Sequence, residues 1–101
     1  MNELTSSQRK LLSAAAQNIK PVVQIGQNGL TDGVTAKVEQ SLAAHELIKI
    51  KFIDFKEEKK ELAGQLCVSC NAVLVRIIGN IAVLYRPAEN KEDRSYGIVF
   101  D

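Results

Sequence analysis

Apolar and polar positions repeat with two different periods along this chain, and the switches between them mark its elements. Leu11, Leu12, Ala15, Ala16 and Ile19 recur at helical spacing. Thr5 and Gln8 stand ahead of them at capping-box distance, with Leu4 just before. Pro21 ends this helix near Asn18 or Ile19. Residues 22–25, VVQI, form a short strand, and residues 26–29, GQNG, a turn. Thr31 is the expected N-cap of a second helix, with Asp32 suited to its positive end. Val34, Val38 and Leu42 give that helix its apolar stripe. The period then changes to two in LIKIKFI, residues 47–53. Ile48, Ile50 and Phe52 point one way, and Lys49 and Lys51 the other. This predicts a half-buried strand with a basic outer face. A third helix is expected over 56–70, capped by Asp54. It opens with the solvated charge run KEEKKE and turns Leu62, Ala63, Leu66 and Cys70 inward. Residues 72–78 and 81–86 flank Gly79 and Asn80, a two-residue hairpin turn.

The expected order is α-β-α-β-α-β-β. Helical crossovers make the first three strands parallel neighbours or near neighbours, and the hairpin makes the last antiparallel. The simplest arrangement is a two-layer α/β fold, with helices on one side and the lysine-bearing side partly wet. Residues 87–95, PAENKEDRS, read as a linker. Residues 96–100, YGIVF, are apolar enough to dock, add an edge strand or stay mobile. The expected division is one domain over 1–87, followed by an acidic linker and apolar tail over 88–101.

Composition narrows the function classes. The 101 residues fit one domain, and 46% hydrophobic with 5% aromatic residues describes an aliphatic core. No run approaches the roughly 20 apolar residues of a membrane span. The N-terminal stretch lacks an apolar signal segment, and two cysteines make no disulfide scaffold. A cytoplasmic protein without membrane partner is therefore expected. The formal charge is +1, distributed as +3 over residues 1–86 and −2 over the remainder. A mildly basic body permits nucleic-acid binding without demanding it.

Loop 26–29 is the first chemical candidate. Its glycines permit close backbone approach, and the helix amides that follow lack intrahelical acceptors. Gln27 and Asn28 carry no negative charge. Such a turn is either structural or a phosphate cradle, and the short motif alone does not decide. Lys49 and Lys51 share a face suited to salt-sensitive phosphate contacts. Cys67 and Cys70 have CxxC spacing but stand at a helix C-terminus, so they read as buried free thiols. His45 and Glu46 suggest capping or packing rather than acid–base work. No enzyme constellation, metal site, cofactor or small-molecule substrate is indicated.

The run LLSAAAQNIKPVVQIGQNGLTDGV, followed by HELIKIK and IIGNIAVLYRP, resembles the CRM domain family, and among its members the small bacterial YhbY-like proteins. The resemblance covers roughly residues 4–87. It implies a four-stranded mixed sheet like that in the C-terminal domain of a bacterial translation initiation factor. It also implies RNA binding without catalysis and association with precursors of the large ribosomal subunit. The implied RNA contacts are Gly26, Gln27, Asn28, Gly29 and Thr31, with Arg9, Lys10, Lys20, Lys49, Lys51 and Arg86 as the basic set. A monomer is expected. Many family members carry a lysine within the glycine loop; Gln27 replaces it here, which weakens the electrostatic pull. The alternative function is a protein–protein adaptor on ribosome-related machinery, using residues 96–100 as an apolar anchor.

Overall fold

The computed structural model describes residues 3–98. The helices are α1 (Ser6–Ala16), α2 (Asp32–His45) and α3 (Lys59–Ser69); the strands are β1 (Pro21–Ile25), β2 (Leu47–Phe52), β3 (Val73–Ile78) and β4 (Ile81–Tyr85). The local signals account for most of these bounds. Thr5 and Gln8 form the expected capping box. The Thr31 hydroxyl accepts from the Val34 amide at 3.1 Å. The start of α3 differs from expectation. Asp54 does not cap it; the chain turns at Phe55 (φ 56), and the helix begins after Glu58, which makes no side-chain cap.

The strands pair in the order β1-β2-β4-β3. β1 is parallel to β2, and β4 runs antiparallel to both of its neighbours. The sheet is therefore mixed, with β3 a parallel near neighbour of β2. Helices α2 and α3 cover one face, closing a core of Val38, Leu42, Ile48, Ile50, Phe52, Leu66 and Leu84. The other face is not left bare. Leu12 and Ala16 of α1 pack there on Leu47, Val75, Val83 and Tyr85. The alternation of β2 fixes the inward face but says nothing about α1, so the expectation of all helices on one side is corrected here.

The stretch after β4 returns to the same face. Ile98 is buried in this second core, and the rings of Tyr96 and Tyr85 meet edge-to-face at 6.1 Å. Residues 99 and 100 of the expected anchor lie outside the described residues. The return is held by Glu46, buried and at φ 62. Its carboxylate accepts from the amides of Ser95 at 2.8 Å and Ala88 at 3.1 Å. No helix among the described residues is long and apolar enough to cross a membrane.

Candidate nucleic-acid interface

The glycine loop stands where β1 ends. The Ile25 carbonyl accepts from the amides of Ile53 at 2.9 Å and Asp54 at 3.1 Å, so the chain after β2 pins the base of the loop. The Gly29 amide bonds the Gly26 carbonyl at 3.0 Å and closes a four-residue turn. Gly29 adopts φ 66, where a side chain costs about 1–2 kcal/mol. The amides of Gly29, Thr31 and Val34 are used inside the loop and cap. Among the described residues, those of Gln27, Asn28, Leu30, Asp32 and Gly33 keep no acceptor, the last two because the first helical turn offers none. Five donors thus remain in this stretch. The Thr31 oxygen is already committed to its cap.

Strand register decides which cations share a surface. Lys51 stands beside Gln24 on one side and Ile81 on the other, and Lys49 is opposite Val83. Val83 in turn faces Arg76. Residues opposite one another across a ladder project from the same face, so Lys49, Lys51 and Arg76 emerge together. This is the α1 face, beyond the part that α1 covers. Lys51 and Arg76 are exposed and Lys49 is half-buried. No ion pair engages any of the three among the described residues. Lys51 lies one residue short of the pair Ile25–Phe52 that supports the glycine loop.

Arg76 is absent from the sequence-derived set, and strict alternation along β3 would put it on the α2–α3 side. A register shift between Leu74 and Arg76 sets both Val75 and Arg76 against Val83. This bulge lets Leu74 and Ile77 both enter the α2–α3 core and turns Arg76 outward on the lysine side. Only the pairing with β4 reveals it.

The other expected contacts are not gathered at the loop. Lys20 is exposed just before β1, about 20 Å of extended chain from Gly26. Lys10 is exposed on α1. The Arg9 guanidinium is tied to the carbonyls of Leu74, at 2.9 Å, and Val75. It closes the bulged edge of β3. Arg86 follows β4 at the sheet end away from the loop. It binds the Glu39 carboxylate at 2.5 Å and the Cys70 carbonyl at 2.9 Å. Its hydrogen bond holds the Glu39 carboxyl below the usual carboxylate range.

Two hollows flank these regions. A groove of about 540 Å³ runs between β1 and α2, lined by Gln24, Thr31, Gly33, Val34 and Lys37. It continues directly from the free amides of α2. The larger cleft, about 1030 Å³, lies at the far end, where Glu39, Glu46, Glu89 and Asp93 outnumber Arg86 and Arg94. Both arginines there are already engaged, so it suits a phosphate poorly. The two cysteines are free and buried, and burial pushes the Cys67 thiol up to about 11. A thiol so protonated is a poor nucleophile or redox centre at neutral pH.

Comparison with known proteins returns one family model, CRS1 / YhbY (CRM) domain, matching residues 4–86. An RNA-binding protein of Haemophilus influenzae is 43% identical over 88% of this chain and 91% of its own length. A Pseudomonas aeruginosa protein described as a probable RNA-binding protein is 38% identical over 87% and 88%. The solution structure of a Staphylococcus aureus protein, proposed by its description to bind RNA, superposes with a TM-score of 0.78 at 32% identity, covering 93% of this chain and 99% of that one.

Proposed function

This chain belongs to the CRS1 / YhbY (CRM) domain family, and from that membership we propose that it is a non-catalytic RNA-binding protein that grips the ribose-phosphate backbone. The observation carrying the reading is the unpaired trio Lys49, Lys51 and Arg76, projecting from one sheet face, with Lys51 the member nearest the glycine loop. Free amides of loop 26–29 and the first turn of α2 accept a phosphate. The trio holds neighbouring phosphates by charge, and Gln24 adds hydrogen bonds. Sequence readout is weak under this mechanism. The proposed RNA is ribosomal, within cytoplasmic precursors of the large subunit.

The adaptor reading loses support from the geometry of its anchor. Ile98 is buried in the second core and Tyr96 packs against it, half-buried, so the described part of this segment is largely used within the fold.

The test is an NMR titration of the whole protein with fragments of large-subunit ribosomal RNA. Amide shifts should concentrate at residues 27–33 and on Lys49, Lys51 and Arg76. Binding that leaves all of these signals unmoved defeats the proposed surface.

A further inference from the structure

Phe55 stands out at the glycine loop. It is a bulky aromatic in the left-handed region, at φ 56, where glycine is the ordinary occupant. The residue is 40% exposed and is not among the residues of either hydrophobic core. One edge of the ring lies against Gly29, with Cε2 3.5 Å from where a Cβ would stand. The Ile53 and Asp54 amides clamp the preceding residues to the Ile25 carbonyl, and the Phe55 carbonyl accepts from Glu58 at 3.1 Å. The backbone that carries the ring is therefore fixed beside the loop, in a strained conformation. Strained residues cluster at ligand contacts, and this one presents an exposed aromatic side chain there.

The surrounding charge says what that contact is. Residues 54–61 carry Asp54, Glu57, Glu58 and Glu61 against Lys56, Lys59 and Lys60. Gln27 and Asn28 are neutral. The segment 54–61 and the loop itself offer phosphate free amides and little net charge, so a neutral contact on this side adds to the hold that the cationic sheet face supplies. A flat hydrophobic ring next to free amides matches the two parts of a nucleotide. Resting on the backbone-binding reading above, we infer that Phe55 is a stacking platform for an unpaired base whose phosphate sits on the glycine loop. The preferred RNA then has a single-stranded or looped-out nucleotide at this point, beside a backbone held by the Lys49, Lys51 and Arg76 face. Base–aromatic stacking tolerates any base, so this adds a preference for unpaired RNA without sequence specificity.

The test compares two probes on the full chain: a short single-stranded RNA carrying 2-aminopurine, and a blunt RNA duplex. Wild type should quench the 2-aminopurine on binding. Phe55→Leu should lose about tenfold to hundredfold in affinity for the single strand, the loss of one stacked base, and leave duplex binding unchanged. Phe55→Tyr should retain both affinity and quenching. Phe55→Gly relieves the left-handed strain, so its thermal midpoint should hold or rise while single-strand affinity falls. Equal binding of the single strand by Phe55→Leu and wild type overturns the inference and leaves the backbone reading standing. So does an equal loss on both probes, or a fall in both stability and binding for Phe55→Gly, since each marks a structural lid. A wild-type protein that binds neither probe defeats both readings.

Discussion

The two ends of the sheet are built from similar residues and use them in opposite ways. At the far end, Arg86 is spent on Glu39 and the Cys70 carbonyl, and Arg94 on the Ala88 carbonyl. Glu46 there takes the amides of Ala88 and Ser95. Toward the loop end, Lys51, with Lys49 and Arg76 on the same sheet face, has no ion pair among the described residues, and five backbone amides of the loop and the α2 start have no acceptor. The cations of the two regions look alike in the sequence, and it is their partners that separate them. A group satisfied within the fold stabilises the fold. A group left wet by a rigid frame remains available to a ligand.

The largest expected break falls on the satisfied end. Glu46→Ala removes a buried charged acceptor from two amides, at a cost of about 2–3 kcal/mol. Urea unfolding should show a lowered midpoint, while the folded fraction binds RNA like wild type. An unchanged midpoint would mean that residues 88–98 contribute nothing to the second core. The next effect is at the loop. Gly29→Val forces a β-branched residue to φ 66, which costs about 1–2 kcal/mol of stability or opens the turn. Here RNA affinity should fall with stability, unlike at Glu46.

The sharpest test of the comparison exchanges one cation at each end. Lys51→Gln should reduce the slope of log K against log salt by about 0.7–0.9, close to fivefold in affinity at physiological salt, with no loss of stability. Arg86→Gln should leave the slope alone and lower the thermal midpoint. Equal slopes for Lys51→Gln and wild type would remove the sheet face from the proposed surface. A slope reduced by Arg86→Gln would dissolve the contrast between the two ends.

The legible parts of this molecule are those determined within a few residues. The alternation of LIKIKF fixes the Lys49–Lys51 face, and the Thr31 cap depends on an amide three residues on. The glycine turn and the antiparallel hairpin strand are read from local residues, and the family resemblance added RNA as the ligand of the loop. What stayed hidden depends on partners distant in sequence. Arg86 looks like any surface cation until α2 brings Glu39 against it. Arg76 changes face through a bulge that exists only in its pairing with β4. Glu46 resembles a helix-end acid until the chain returns some fifty residues later to use it. Phe55 passes for the edge of a charge run because its residue type gives no hint of φ 56.

The smallest effect comes from the Arg86–Glu39 pair, and pH isolates it. The hydrogen bond from Arg86 keeps the Glu39 carboxyl below its ordinary value, so the folded state holds this charge to lower pH than the unfolded chain. The stabilisation is complete above the unfolded carboxylate value of about 4.3 and is lost as pH falls through the folded value. The Glu39 side chain is 51% exposed, so screening by water limits the contribution to under about 1 kcal/mol. Urea midpoints of wild type and Glu39→Gln should differ slightly at pH 7 and converge near pH 3, because the other carboxylates titrate equally in both proteins. A gap between the two proteins that persists at pH 3 would show that Glu39 acts through packing, and the far end would then be held by less charge pairing than its geometry displays.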